Sequence, residues 1–476
     1  MTKKGLNIEG PGNKTWAGSI TAYNERLHYT PTLIVYPRSA MEVSAAVTCA
    51  AAQAPPKVSV SALSGGHSYA AGGYGARDGS LVLNMREMTG MVYNAADGTA
   101  SVQPGARLGD VAIWLKVSAG RAMAHGVCAY VGIGGHSGLG GFGYASRNWG
   151  LLIDQVVGAD VVLANGTLVH ASKTQNSELF WAIRGAAPSF GIVTQYTYMT
   201  HPEPPNVVRF SYSFSNPTLS ATKFAAVIRG YQKWVLTVPK ELGIGANVWD
   251  TGKTVEIGGF YMGSEDEFKT LIAGLLKETG EPNGKYMQVV SWLDALTQVN
   301  GGQWLDTTTK PDTHDTFYAK SLVVPESAPL TDSALTALFV AATKPKTSNP
   351  SSLSWFIQFE AWGGGNSAIS AIPSNATAYP HRSHLFTMQL YATTGAGGKW
   401  PAQGNAFVNG MVNAITGAKD MLQVKFGAYA NYIDPELHGW REMYYAGNYG
   451  RLDKLRKVLD PRGVFMKPQN IGAPDF

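Results

Sequence analysis

The chain of 476 residues has few cysteines, no long apolar run and no concentration of charge. With only Cys49 and Cys128 present, at most one disulfide can form, so a disulfide-built fold is excluded. No run of 18 apolar residues occurs, and we therefore expect no membrane-spanning helix and no membrane partner. The 38 basic residues exceed the 33 acidic ones by five without forming a basic cluster, so we expect no nucleic-acid partner. Zinc-type Cys/His spacings are absent as well, and no metal site is predicted.

Glycine and apolar residues are abundant. The apolar fraction of 45% excludes an extended disordered protein. The 55 glycines exceed the usual share of about 7%, and many of them fall in two clusters, at 64–73 and 131–143. The length allows two large domains or three smaller ones.

The spacing of apolar residues predicts two regions of different texture. Short strands and helices alternate up to about residue 200, and the Pro-rich segment 201–205 reads as a linker. From 206 the alternating segments suit an antiparallel sheet with helices on one side. We therefore predict an α+β protein with one domain from 1–205, completed by 420–476, and a second domain from 206–419. Strands are predicted at 31–36, 58–63, 81–85, 100–102, 158–171 (a hairpin), 191–199, 208–214, 254–262, 317–323, 353–360, 385–392 and 425–433; helices are predicted at 39–52, 108–119, 179–184 and 452–459.

Both glycine clusters are candidates for holding phosphate groups. A strand that runs into small residues leaves backbone N–H groups free to turn toward a phosphate, and two such loops suit a dinucleotide. Tight loops with packing glycines are the alternative. The segment 138–143 also matches the dinucleotide pattern G-x-G-x-x-G, with Asp160 following. That pattern requires a clean strand just before it, which the glycine-interrupted sequence before 138 does not provide, so a Rossmann domain is disfavoured.

Two reactive side chains lie beside these clusters. His67 lies within the first cluster, directly after Gly65-Gly66, and Cys128 precedes the second. Their positions raise the expectation that both touch a bound cofactor. Cys49, in contrast, falls within the helix predicted at 39–52. We expect it to be a buried small hydrophobe that forms no disulfide with Cys128.

The motifs, taken in order, resemble a known flavoprotein family. They are Ser64-Gly65-Gly66-His67-Ser68-Tyr69, Gly126-Val127-Cys128, the glycines of 132–143 and Tyr429-Ala430-Asn431-Tyr432-Ile433-Asp434. Together they resemble the berberine-bridge-type branch of the vanillyl-alcohol oxidase flavoproteins, and within it the fungal gluco-, chito- and xylo-oligosaccharide oxidases. The resemblance implies a PCMH-type FAD-binding fold whose substrate domain is an antiparallel sheet.

The resemblance also implies FAD bound covalently twice. By position, His67 joins flavin C8α and Cys128 joins flavin C6. Imidazole and thiolate are both competent nucleophiles. The remaining cofactor contacts implied are Ser64, Gly65, Gly66, Ser68, Gly134, Gly135, His136, Gly140, Gly141, Ile192, Val193 and Asn431.

The predicted strands of the second domain supply the substrate side. Alternation places Phe356, Gln358 and Glu360 on one face of a strand, and Gln389 lies on the strand predicted at 385–392. Lys320 is a further candidate to face the groove. The resemblance implies that Glu360 is the carboxylate beside the catalytic tyrosine, although better-known members have Asp there. Solvent exposure is the alternative for each polar strand residue.

The base is one of two tyrosines. In the strand predicted at 425–433, Tyr429 and Tyr432 point to opposite faces, and the family pattern favours Tyr432. Tyr69 is the expected platform for a sugar ring at the catalytic centre. Trp355 and Trp362 are further stacking candidates, with ordinary core packing as their alternative.

The expected reaction oxidises the anomeric hydroxyl of an oligosaccharide to a lactone, while O2 is reduced to H2O2. Two alternatives stay open: a secondary-metabolite oxidase on the same scaffold, and a flavin-loaded binding protein without turnover. We expect a monomer. Three Asn-x-Thr sequons, at Asn13, Asn165 and Asn375, favour a secreted glycoprotein, with no signal peptide in this chain; a cytoplasmic location is the alternative.

Overall fold

The computed structural model describes residues 5–52, 58–215, 219–250, 252–343 and 353–475. The strands are β1 Ile8–Glu9, β2 Leu33–Val35, β3 Val60–Leu63, β4 Leu81–Asn84, β5 Met91–Asn94, β6 Thr99–Val102, β7 Arg121–Ala122, β8 Val156–Val162, β9 Leu168–Ser172, β10 Ile192–Met199, β11 His201–Pro202, β12 Val207–Ser215, β13 Leu242–Trp249, β14 Thr254–Tyr261, β15 Gly284–Val290, β16 Phe317–Pro325, β17 Ser354–Ala361 and β18 His384–Thr393. The helices are α1 Trp16–Ser19, α2 Ala40–Ala51, α3 Leu108–Ala119, α4 Ile133–Leu139, α5 Ser146–Trp149, α6 Leu152–Gln155, α7 Ser177–Ala186, α8 Ala221–Val235, α9 Glu265–Thr279, α10 Trp292–Val299, α11 Asp332–Ala342, α12 Gly404–Thr416, α13 Trp440–Tyr445 and α14 Tyr449–Leu459. None of the helices in these ranges is long and apolar enough to cross a membrane.

The first 200 residues contain two small sheets, with helices between their strands. The first has the order β1-β2-β4-β3, and its last three strands run parallel. Helix α2 packs on it, and the Ser39 hydroxyl caps that helix by accepting from the Glu42 N–H at 3.3 Å. The second sheet is antiparallel in the order β5-β6-β10-β8-β9, which confirms the predicted hairpin at Asn165-Gly166. β11 lies within the predicted linker and pairs with β7.

A seven-stranded antiparallel sheet with the order β15-β12-β14-β13-β17-β18-β16 follows. Helices α8, α9, α11 and α12 pack on one another, and their apolar residues share one core with the sheet. The sequence did not predict β13 or β15. All seven strands lie between residues 207 and 393, inside the range 206–419; the exact domain boundaries stay a prediction.

The strand predicted at 425–433 is wrong. The segment is irregular and contains a single 3₁₀ turn at Ala430–Tyr432. Its polar groups bond to other parts of the fold: Gly427 exchanges backbone bonds with Val323, and the Tyr429 N–H donates to the Ser321 hydroxyl at 2.9 Å. These tertiary contacts take the place of a strand ladder.

Cys49 is less buried than the sequence predicts. Cys49 and Cys128 form no disulfide with each other, as predicted. Cys49 is half-buried, however, whereas Val43, Ala46, Val47 and Ala50 form the buried face of α2. With 3.6 residues per turn, Cys49 lies about 100° around the helix from Ala50, which places it at the edge of that face.

Candidate active site

The two glycine clusters meet backbone to backbone. A Cβ atom added to Gly65 would lie 2.2 Å from the Gly132 nitrogen, and one added to Gly132 would lie 2.0 Å from the Gly65 nitrogen. The Gly134 N–H donates to the Ser64 hydroxyl at 3.2 Å, and that hydroxyl donates to the Pro104 carbonyl. No residue larger than glycine fits at this crossing. The backbone of the two clusters forms one wall of a cavity. Residues 133–139 of the second cluster form helix α4, not the loop expected.

That cavity has a volume of about 390 Å³, within the range of ligand sites. The glycine segments and the strand end at Ile192 and Val193 lie on one side of it. Side chains of β17 and β18 lie on the other, and the segments 429–433 and 467–470 complete it. The face of the large sheet opposite its helices therefore borders the cavity.

His67 and Cys128 both line this cavity. The His67 ring stacks on Tyr23, with centroids 4.0 Å apart, and its Nε2 lies 2.7 Å from Asp312 Oδ2. Burial raises the pKa of the Cys128 thiol, while backbone N–H groups of Tyr130 and Val131 partly oppose that shift. The two predicted attachment residues thus share one cavity, although 61 positions separate them in the chain.

His136 is held in one neutral form. Its Nε2 accepts the Gly126 N–H at 2.8 Å, and burial lowers the pKa of the ring to about 3. An accepting Nε2 in a neutral ring requires that Nδ1 carries the proton. The Asn431 side-chain amide donates to the His136 carbonyl at 3.1 Å and so ties the irregular segment to α4.

Tyr429 is anchored to the glycine wall. Its hydroxyl accepts the backbone N–H groups of Gly141 and Phe142 at 2.9 and 3.1 Å, and the Asn431 amide at 3.1 Å. Its ring fills the space beside Gly140, where an added Cβ would lie 2.7 Å from it. Burial raises the pKa of Tyr429 to about 12. Three donors already occupy this hydroxyl.

Tyr432 faces the sheet instead. Its hydroxyl donates to Glu360 Oε1 at 2.9 Å, and the second carboxylate oxygen has no hydrogen-bond partner among the described residues. Burial raises the pKa of Glu360 to about 8, and the bond from Tyr432 partly offsets this. Burial also holds the pKa of Tyr432 well above its usual range. A phenol and a proton acceptor that titrates near neutrality are therefore in direct contact.

Tyr69 lies beside this pair. Its ring is parallel to that of Tyr432, with centroids 5.6 Å apart and an interplanar angle of 6°. The Gln389 amide donates to the Tyr69 hydroxyl at 2.5 Å, and Gln358 is the cross-strand partner of Gln389. Most of the residues predicted for the site line the cavity: Ser64, Gly65, Gly66, His67, Ser68, Tyr69, Cys128, Gly134, Gly135, His136, Ile192, Val193, Gln358, Glu360, Gln389, Asn431 and Tyr432.

Four of the predicted site residues do not line the cavity. The Lys320 ammonium is paired with Asp434 and lies 3.4 Å from the Tyr318 hydroxyl, so it is drawn away from the groove. Phe356 stacks on Tyr391 at 4.8 Å. Gly140 and Gly141 pack against Tyr429 and Leu152.

Neither tryptophan proposed for stacking is available to a ligand. Trp355 belongs to the core between the large sheet and its helices. Trp362 is fully buried and stacks on Phe142 at 4.7 Å. The core-packing alternative is correct for both.

The sequence missed several cavity residues, notably Tyr23, Tyr144 and Lys467. The Lys467 ammonium is buried and donates to the Gly72 carbonyl at 2.9 Å and the Ser61 hydroxyl at 3.2 Å. Burial lowers its pKa to about 8. No local pattern identifies these residues. Tyr144 directly follows the second cluster, but Lys467 reaches the first cluster from nearly 400 residues away.

The chain matches two family models, one described as FAD binding domain over residues 31–172 and one described as Berberine and berberine like over residues 428–472. It is 37% identical to the xylooligosaccharide oxidase of Thermothelomyces thermophilus, over 96% of this chain and 90% of that protein. It is 35% identical to the chitooligosaccharide oxidase of Gibberella zeae, over 99% and 93%. The chain belongs to the berberine-bridge-type FAD-linked oxidases.

The fold agrees with that membership. The glucooligosaccharide oxidase of Acremonium strictum, described as carrying a 6-S-cysteinyl, 8α-N1-histidyl FAD, superposes with a TM-score of 0.91 at 29% identity, over 100% of this chain and 98% of that one. The PCMH-type α+β fold is thus confirmed, and the protein is an FAD-dependent oxidoreductase. Its cavity fits the cofactor: glycine backbone lines one wall, and the buried Lys467 ammonium beside it donates, among the described residues, to the neutral Gly72 carbonyl and Ser61 hydroxyl.

Proposed function

We propose that this oxidase converts the anomeric hydroxyl of oligosaccharides into a lactone and passes the electrons to O2, giving H2O2. The contact between Tyr432 and Glu360 carries the proposal. A phenol with a reference pKa near 10 is a poor base on its own at neutral pH. It acts as one when a neighbouring carboxylate accepts its proton as the substrate hydroxyl is deprotonated.

In this chain, Tyr432 takes the proton of the anomeric hydroxyl and Glu360 receives the phenolic proton. The hydrogen bond between them already has the required direction, since the hydroxyl donates to the carboxylate. Glu360 accepts that proton only in its ionised form, and its pKa of about 8 makes the ionised form the minor one at neutral pH. FAD, when bound, supplies the hydride acceptor and is reoxidised by O2.

We propose that FAD is attached to His67 and Cys128. Both side chains line the cavity that fits FAD, and the glucooligosaccharide oxidase with this fold is described with one histidyl and one cysteinyl link. Attachment at two points fixes the ring without a lid above it. An open groove for a long substrate is compatible with that arrangement.

The sheet wall suits a substrate rich in hydroxyl groups. Gln358 and Gln389 are cross-strand partners and present amides to the cavity, and Tyr69 places an aromatic ring beside them. Amides donate to and accept from sugar hydroxyls, and an aromatic face packs on the ring. This polarity favours a sugar over an apolar secondary metabolite.

A substrate panel tests the proposal. Cello-, xylo-, malto- and chito-oligosaccharides are assayed for H2O2 and for the aldonic acid formed from the lactone. The matched controls are the corresponding alditols, which lack the anomeric hydroxyl and should give no H2O2. Flavin reduction by phenolic or amine substrates alone would favour the secondary-metabolite alternative, and no reduction by any substrate would favour the binding protein.

Secretion and glycosylation form part of the same proposal. The side chains of Asn13, Asn165 and Asn375 are all exposed, as an accepted sequon requires. Mass measurement of the protein from the culture medium of its own host, before and after removal of N-glycans, tests both. An unmodified protein confined to the cell extract would contradict them.

A further inference from the structure

The His67 ring has one nitrogen already engaged by a carboxylate. Nε2 lies 2.7 Å from Asp312 Oδ2, and the two side chains are 10% and 13% exposed. His67 lines the cavity whereas Asp312 does not. Asp312 therefore contacts the ring from behind, and Tyr23 covers one face of the ring at 4.0 Å.

The segment that carries Asp312 is fastened on both sides of it. Before it, Thr307 bonds to Asp110 through its N–H at 3.0 Å and its hydroxyl at 2.5 Å. After it, the Asp315 N–H donates to the Tyr23 carbonyl at 2.9 Å. Asp312 thus reaches His67 from a strap that is tied to the FAD-binding region, and the contact does not depend on a free loop.

We propose that Asp312 is the positioning residue for flavin attachment at His67: its carboxylate holds the ring proton on Nε2 and leaves Nδ1, the nitrogen named in the relative's 8α-N1-histidyl link, to form the bond. An ionised carboxylate only accepts hydrogen bonds, so Nε2 must carry the ring proton. The lone pair of the neutral ring is then on Nδ1, the nitrogen that Asp312 does not contact. This inference rests on the covalent attachment proposed above.

Formation of the bond between His67 and the flavin is a two-electron oxidation. His67 Nδ1 joins the 8α carbon, one hydrogen leaves the flavin methyl group, and the proton on Nε2 leaves the ring. Two electrons depart with these two hydrogens, and O2 accepts both to become H2O2. As Nδ1 becomes alkylated the imidazole acquires positive charge, which the Asp312 carboxylate stabilises until the proton is lost.

Asp312 gives no such help to the other link. Its negative charge is one of the causes that raise the pKa of the Cys128 thiol. Loss of Asp312 should therefore impair the bond to His67 and leave the bond to Cys128 intact. A strap that merely shaped the cavity would impair both bonds together.

The experiment measures the bond to His67 and the bond to Cys128 separately. Asp312→Ala and Asp312→Asn are made in a Cys128→Ala background, where only the histidyl bond can form, and in a His67→Ala background, where only the cysteinyl bond can form. The measurements are acid-stable flavin per protein, total FAD per protein, and the growth of the acid-stable share with time in air and excess FAD. Asp306→Ala is the matched control, because the half-buried Asp306 bonds, among the described residues, only to Thr308 in its own turn.

In the Cys128→Ala background, we expect Asp312→Ala to slow attachment by roughly 10–100-fold, the usual effect of losing a partner that orients a histidine. Asp312→Asn should lose less, because its amide oxygen still accepts from Nε2. Total FAD per protein should be unchanged in both variants, and NMR of the flavin peptide from the Cys128→Ala parent should place the bond on Nδ1. Unchanged attachment in Asp312→Ala, or equal losses in both backgrounds, would overturn the inference. An absence of acid-stable flavin in the Cys128→Ala parent would instead overturn the covalent attachment itself.

Discussion

The two walls of the cavity are built in different ways. The glycine wall consists mainly of backbone: Gly65 and Gly132 cross at a distance that admits no side chain, and the Tyr429 hydroxyl accepts a backbone N–H of the second cluster. The sheet wall consists of side chains, with Glu360 and Gln389 projecting from neighbouring strands toward the cavity. The glycine wall therefore suits the binding of a cofactor, whereas single substitutions can alter the chemistry of the sheet wall.

This difference separates two kinds of expected defect. A change on the sheet wall should alter catalysis while the flavin stays attached. A change on the glycine wall should alter stability and flavin content first. Tyr429 and Tyr432, three residues apart, belong to different walls and give the sharpest test of the separation.

The largest effect is expected from Tyr432→Phe. This change keeps the ring and its stacking on Tyr69 but removes the proton acceptor. The rate of flavin reduction should fall by roughly 10²- to 10⁴-fold, as for loss of a general base. Stopped-flow reduction by a substrate oligosaccharide measures this, with acid-stable flavin as the control for an intact cofactor. Normal reduction would refute the assignment of the base.

Glu360→Gln should give a smaller loss, of roughly tenfold to a hundredfold, because the phenol loses only its proton acceptor. The pH profile should change with it. Glu360 accepts a proton only when ionised, and its pKa is about 8, so reduction in the parent protein should speed up as pH rises through about 8 and then level off. The Gln variant should lack this rise. A rise that persists in the variant would assign the titration to another group.

Gly132→Ala should disturb the other wall. The new Cβ would meet the Gly65 nitrogen at 2.0 Å, so backbone must shift, at a cost of about 1–3 kcal/mol or more in the free energy of unfolding. Flavin content should fall along with stability. The matched control is Gly410→Ala, in helix α12, where an added Cβ meets nothing within 4 Å. Equal stability of the two variants in denaturant unfolding would contradict the close crossing.

Tyr429→Phe should behave as a glycine-wall change. It leaves the buried N–H groups of Gly141 and Phe142 without their acceptor, which costs about 1–3 kcal/mol of stability. Flavin reduction should change far less than in Tyr432→Phe. If this variant is the inactive one, the roles of the two tyrosines are reversed.

Cys49→Ser should have the smallest effect, under about 1 kcal/mol, because the side chain is only half-buried and forms no disulfide. Acid-stable flavin should be unchanged in this variant. Its loss would show that Cys49 takes part in attachment.

The sequence predicted the parts of the site that are local. The motif around His67, the motif around Cys128 and the glycines of 132–143 are each contiguous stretches, so their order and spacing indicated the family and the cofactor. The strand alternation that placed Gln358 and Glu360 on one face is also local, and β17 confirms it. Helix α3 was predicted with its observed bounds for the same reason, since its apolar period is visible in twelve residues.

Only the tertiary structure decided which distant groups meet. Asp312 reaches His67 across 245 positions, and Lys467 reaches Gly72 across 395. The sequence made Lys320 a candidate to face the groove, but in the structure its ammonium pairs with Asp434. No local sequence pattern near Lys320 predicts that ion pair. The segment with Tyr429 and Tyr432 read as a strand because its composition is β-prone. It folds as an irregular segment instead, and groups far away in the chain, among them Val323 and Ser321, satisfy its hydrogen bonds. Periodicity reports on the face that a segment buries, whereas ion pairs and single hydrogen bonds depend on contacts that form only when the chain closes on itself.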